Sequence, residues 1–65
     1  MKHYAIEVIG YGKRRRYCLK EVLPGVGTNP VDGKIYTSEE AARAAARAYG
    51  VEVEAVGDTW QLVRL

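Results

Sequence analysis

Apolar and polar residues alternate from Tyr4 to Tyr11, with Tyr4, Ile6 and Val8 on one side and His3, Ala5, Glu7, Ile9 and Tyr11 on the other. A period of two predicts a strand. A second strand-like run covers Arg16 to Leu23. If Lys13-Arg14 forms a tight turn, Val8 faces Leu19 and Tyr4 faces Leu23 on one side of a hairpin. On the other side Glu7 meets Lys20, Ile9 meets Cys18 and Tyr11 meets Arg16. Like then faces like, and opposite charges pair. This register leaves Glu21 opposite Ile6 on the core side, a misfit that a bulge near Gly10 or Gly12 would relieve.

Residues 24–34, from Pro24 to Lys34, are dense in turn formers and predict one irregular loop ending in a tight Asp32-Gly33 turn. A helix follows. Thr37 is the expected N-cap, with Glu40 completing a capping box and Glu39 and Glu40 complementing the helix dipole. Gly50 sits where a terminating glycine belongs. Ala41, Ala44, Ala45 and Ala48 form the stripe expected to face the sheet, opposite Glu39, Arg43 and Arg47. Val51–Ala55 and Trp60–Leu65 then read as a second hairpin turning at Gly57-Asp58, with Val53 facing Leu62 and Ala55 facing Trp60, both toward the helix.

The expected fold is α+β: a single β-β-α-β-β domain over residues 1–65, with an antiparallel sheet and one helix packed on one face. Its core is Tyr4, Ile6, Val8, Leu19, Leu23, Ala41, Ala45, Ala48, Val51, Val53, Trp60 and Leu62. The other sheet face is expected to be open, and it mixes Ala5, Ile9, Cys18, Val22 and Val63 with Glu7, Lys20 and Gln61. Apolar surface of that kind marks an interface.

Size sharpens this picture. At 65 residues, 48% hydrophobic and 28% charged, the chain is globular in composition, yet its core is small enough that a dimer or partner surface would add needed stability. The single cysteine, Cys18, excludes an internal disulfide and points to a reducing cytoplasm. No apolar run resembles a signal peptide or a membrane span, so no membrane partner is expected. The net charge of +2 hides an asymmetry: residues 1–34 carry seven basic and three acidic side chains, residues 35–65 three basic and five acidic. The basic excess centres on Lys13-Arg14-Arg15-Arg16.

Ile35-Tyr36-Thr37-Ser38-Glu39-Glu40-Ala41 opening an Ala/Arg helix, after a strand pair and before a hairpin turning at Gly57-Asp58, resembles small uncharacterised bacterial and prophage β-β-α-β-β domains. The resemblance implies a fold and no activity. Compact stand-alone proteins of this size are also common among phage-encoded inhibitors, anti-CRISPR proteins among them.

Catalytic chemistry finds little to use. One Cys and one His cannot supply a structural zinc site, and the register sets His3 and Cys18 too far apart for a nucleophile and its base. Thr37 and Ser38 have capping work, and Glu52 and Glu54 are the polar half of a strand alternation. Gly25-Val26-Gly27-Thr28 has no following Gly-Lys-Ser/Thr and opens no helix. Catalytic residues, metal ligands and cofactors are therefore all expected to be none, and the chain is read as a non-enzymatic binding protein. One candidate contact is the hairpin tip, with Tyr11, Lys13, Arg14, Arg15, Arg16 and Tyr17: cations for phosphates or an acidic protein surface, tyrosines for bases or interface contacts. A second is the sheet face of Ile9, Cys18, Lys20 and Val22. The expected partner is another protein or a second copy of this chain, acted on by surface occlusion. Nucleic acid is the alternative.

Overall fold

The computed structural model describes residues 2–57. Strands β1 (His3–Ile9), β2 (Arg16–Leu23) and β3 (Gly27–Pro30) precede the helix α1 (Glu39–Tyr49), and β4 (Val53–Gly57) follows it. They build an α+β fold in which α1 packs on β1 and β2 of a four-stranded sheet ordered β3-β2-β1-β4.

The sheet is mixed, where a wholly antiparallel one was expected. β2 is antiparallel to both β1 and β3, but β4 runs parallel to β1. The expected hairpin partner of β4, with Trp60 and Leu62, lies outside the described residues. The helix carries the chain from the β3 edge across to the β1 edge, and the long crossover allows a parallel pairing that no tight turn could make.

β1 and β2 pair in a register displaced by two residues from the expected one. Ile6 lies opposite Leu19, Tyr4 opposite Glu21 and Glu7 opposite Cys18. An even displacement preserves the faces, so Ile6 and Leu19 still share the helix side, and Glu21 moves from opposite Ile6 to opposite Tyr4, next to the end of the ladder. Lys20 and Glu7 are now diagonal neighbours and still form an ion pair at 3.5 Å.

Ile6, Leu19, Ala42 and Ala46 form the buried centre, flanked by Tyr17, Val31, Tyr36, Val51, Val53 and Val56. The alanine stripe is therefore Ala42/Ala46, while Ala44 and Ala48 are exposed and Ala41 and Ala45 half-buried. Val53 and Val56 reach the same cluster because the β1–β4 register shifts between Tyr4 and Ala5. That irregularity breaks strict alternation and sends Ala55 to the opposite face, against Ala5 and Val22. Ser38, in extended conformation, caps the helix by accepting from the Ala41 N–H at 3.1 Å, a role expected of Thr37. Gly50, at φ 75°, closes the other end as expected.

The loop expected over residues 24–34 contains β3. Gly27, Thr28, Asn29 and Pro30 pair with Leu23, Val22, Glu21 and Lys20. The sheet face away from α1 is not the open surface expected: Ala5 is 0% exposed, Val22 2% and Cys18 9%. Among the described residues, no helix is long and apolar enough to cross a membrane.

Candidate functional site

The β1–β2 ladder ends at the Ile9–Arg16 pair, and the chain turns beyond it through a 3-10 segment, Gly12–Arg14. The Tyr11 carbonyl accepts from Arg14 N–H at 3.1 Å, and the Gly12 carbonyl from Arg15 N–H at 3.2 Å. Gly10 enters this turn at φ 82°, and a Cβ there would lie 3.0 Å from the Arg14 carbonyl oxygen. Only glycine accommodates both the left-handed backbone and that approach. The longer turn, in place of a tight Lys13-Arg14 turn, is what displaces the strand register.

The turn holds its side chains out. Every residue from Ile9 to Arg16 is exposed, and Tyr11 is exposed to 91%. The Arg16 guanidinium folds back over the turn, donating to the Arg15 carbonyl at 2.9 Å and reaching the Lys13 carbonyl at 3.5 Å. Lys13, Arg14 and Arg15 make no side-chain hydrogen bond or ion pair with the described residues, where the ion pairs are His3–Glu54, Lys20–Glu7 and Arg43–Glu39. Uncompensated cations on a braced loop present a local positive potential to solvent.

Tyr17 does not belong to this tip. Its backbone exchanges hydrogen bonds with Tyr36 at 2.9 and 2.8 Å, and its ring packs on the core under α1. The second candidate surface fares differently again. Cys18 and Val22 are buried and Lys20 is engaged by Glu7, so of that set only Ile9, 47% exposed, faces solvent. Burial pushes the Cys18 thiol up, with Glu7 and Asp32 adding and Lys20 opposing, which suppresses the reactive thiolate. His3 Nδ1 meets the Glu54 carboxylate at 2.7 Å. In the ladder His3 pairs with Val22 and Cys18 with Glu7, about 13 Å apart along the strand at 3.3 Å per residue.

A polar cluster not foreseen as a whole from the sequence lies beside β2, where Tyr36 bridges to Tyr17. The Asp32 carboxylate accepts from the Tyr36 hydroxyl, from the Tyr49 hydroxyl at 3.0 Å and from Lys34 N–H at 3.0 Å. Burial pulls Asp32 upward, but these donors outweigh it and hold the carboxyl below its usual range, while the same bond drives Tyr36 well up. The Asp32–Lys34 bond is the Asx turn that Asp-Gly signals. Tyr49 arrives from the helix, a contact no local motif announces. The cluster pins the loop before α1 to the helix's last turn. A separate shallow cleft between α1 and the segment leading into β4 is lined by Arg43, Ala46, Arg47, Val51, Glu52 and Val53, apolar residues with charges of both signs. Among the described residues, no group of three or more His, Cys, Asp or Glu side chains is placed to hold a metal ion. No protein-family model matches this chain, and comparison with curated proteins and with solved structures finds no match.

Proposed function

We propose that this is a small non-enzymatic binding protein that engages nucleic acid through the cationic β1–β2 tip. The observation that carries the proposal is the state of Lys13, Arg14 and Arg15. They are exposed, uncompensated by any described carboxylate, and mounted on a loop whose backbone is already fixed. With the backbone already fixed, only the side-chain rotamers are left to order when these cations meet phosphates, and the release of counterions drives the association. The rival reading, a protein partner docked on the sheet face, loses most of its surface to the burial of Ala5, Cys18 and Val22.

Fluorescence anisotropy of labelled DNA and RNA oligonucleotides, titrated at low and moderate salt, tests this. With three or four phosphate contacts, affinity is expected to fall roughly 20- to 150-fold between about 50 and 200 mM salt. Replacing Lys13, Arg14 and Arg15 together by alanine is expected to abolish binding, with the circular dichroism spectrum unchanged. Absence of binding by the wild-type chain at low salt would sink the proposal. A retained affinity in the triple variant would move the contact elsewhere on the molecule.

A further inference from the structure

We infer that the tip takes single-stranded nucleic acid, with the Tyr11 ring as the platform on which one base stacks. The inference rests on the proposed cationic contact and specifies its ligand. Tyr11 is 91% exposed, the most solvent-exposed large apolar residue described. A ring so placed contributes nothing to the core. The backbone that carries it is nevertheless held: it is extended at φ −134° and ψ 150°, and its carbonyl is tied to Arg14 N–H.

The neighbours of Tyr11 are Gly10 and Gly12, both at positive φ, and neither carries a side chain that could cover the ring. A Cβ at Gly12 would meet nothing within 4 Å. The flanks of the ring are thus open to a planar ligand, and Lys13, Arg14 and Arg15 follow it directly in the turn. An aromatic platform beside a short run of cations is the pairing that binds unpaired bases and their phosphates. A duplex buries its base faces in the stack, so the ring could reach one only by unstacking a step. In a groove the tip would offer cations alone and leave Tyr11 without a partner.

The test compares a labelled 15-nucleotide oligo(dT) strand with a 15-base-pair duplex, each titrated with wild type and with Tyr11→Ala, Tyr11→Leu and Tyr11→Trp. The wild type is expected to prefer the single strand. Tyr11→Ala should weaken oligo(dT) binding roughly 5- to 150-fold, the range base–aromatic stacking spans. Its salt dependence should match the wild type, because no phosphate contact is removed. Tyr11→Trp should restore or exceed wild-type affinity, and Tyr11→Leu should not. Equal or tighter duplex binding, no effect of Tyr11→Ala, or full rescue by leucine would each overturn the stacking platform while leaving the cationic contact intact. Failure of the wild type to bind either ligand would remove both. None of the substituted atoms lies in the core, so altered folding does not confound the comparison.

Discussion

Asp32 shows how much one side chain can organise in a chain this small. An ionised carboxylate is acceptor-only, and here both oxygens are used: Lys34 N–H on one, the Tyr36 and Tyr49 hydroxyls on the other. Because these bonds hold the folded-state carboxyl below its unfolded value, their stabilisation is complete above about pH 4–5 and is lost as pH falls through the folded value. Tyr36 has the opposite sign: its folded value is raised, so its share is complete below the unfolded value near 10 and is lost as pH rises beyond it. Asp32→Asn keeps the shape but removes the charge and turns one acceptor oxygen into an NH2, leaving a single acceptor atom for the donors that now occupy both oxygens. The expected cost is about 1–2 kcal/mol, at the low end for bonds to a charged group because the site is partly solvated. Urea midpoints measured from pH 2 to 8 should show a shallower acid limb in the variant. An unchanged pH profile would mean that the carboxylate does not hold the loop. The sequence revealed only the local half of this site. Asp32-Gly33 announces its turn, whereas Tyr49 becomes a partner only after the helix has been laid across the sheet.

At the level of elements, what could be read depended on how sharply the residues distinguish alternatives. The ends of α1 were legible because Glu39, Glu40 and Gly50 each suit one end of a helix, although Thr37 and Ser38 are adjacent hydroxyls and the cap falls on the second. Its rotation was not legible. Alanine occupies positions 41, 42, 44, 45, 46 and 48, so nearly every face carries methyl groups, and only packing on Ile6 and Leu19 selects Ala42 and Ala46. That choice is testable. Ala42, at 0% exposure, lies where α1 meets the sheet, and Ala42→Leu should cost about 1–3 kcal/mol through overpacking. Ala44→Leu, on the exposed side, should stay within about 0.5 kcal/mol of wild type. Thermal denaturation of the two variants checks this, and equal losses would show that the helix packs at another angle. The strands follow the same logic. Alternation assigned Ile6 and Leu19 to a common face, but register depends on turn length, and the 3-10 turn between Gly10 and Arg15 carries no apolar signal. β3 was hidden because Gly27, Asn29 and Pro30 are turn residues, made into a strand by the edge of β2. The parallel β4 was hidden because strand direction across a helical crossover is a property of the whole sheet.

For the whole molecule the legible feature was charge, and charge also separates function from stability. Lys13, Arg14 and Arg15 announced themselves as a contiguous run. Tyr11 and Tyr17 looked equivalent as flanks, until strand phase and the bridge to Tyr36 sent one to solvent and the other to the core. A structural role for the cations would require partners, and the described ion pairs use none of them. What remains is mutual repulsion across neighbouring positions in one turn. It is strongest at about 10 mM salt, where the Debye length is about 30 Å, and largely screened near 1 M, where it is about 3 Å. Replacing Lys13, Arg14 and Arg15 by glutamine takes the formal net charge from +2 to −1. If the repulsion amounts to about 0.5 kcal/mol, the variant should melt roughly 2–4 °C above wild type at 10 mM salt. The two melting curves should converge as salt is added. A variant that melts below wild type would show that these side chains hold the loop together, and the loss of nucleic-acid binding on their removal would then report unfolding of the tip. A variant that is equally or more stable, yet no longer binds, leaves ligand contact as the use of the charge.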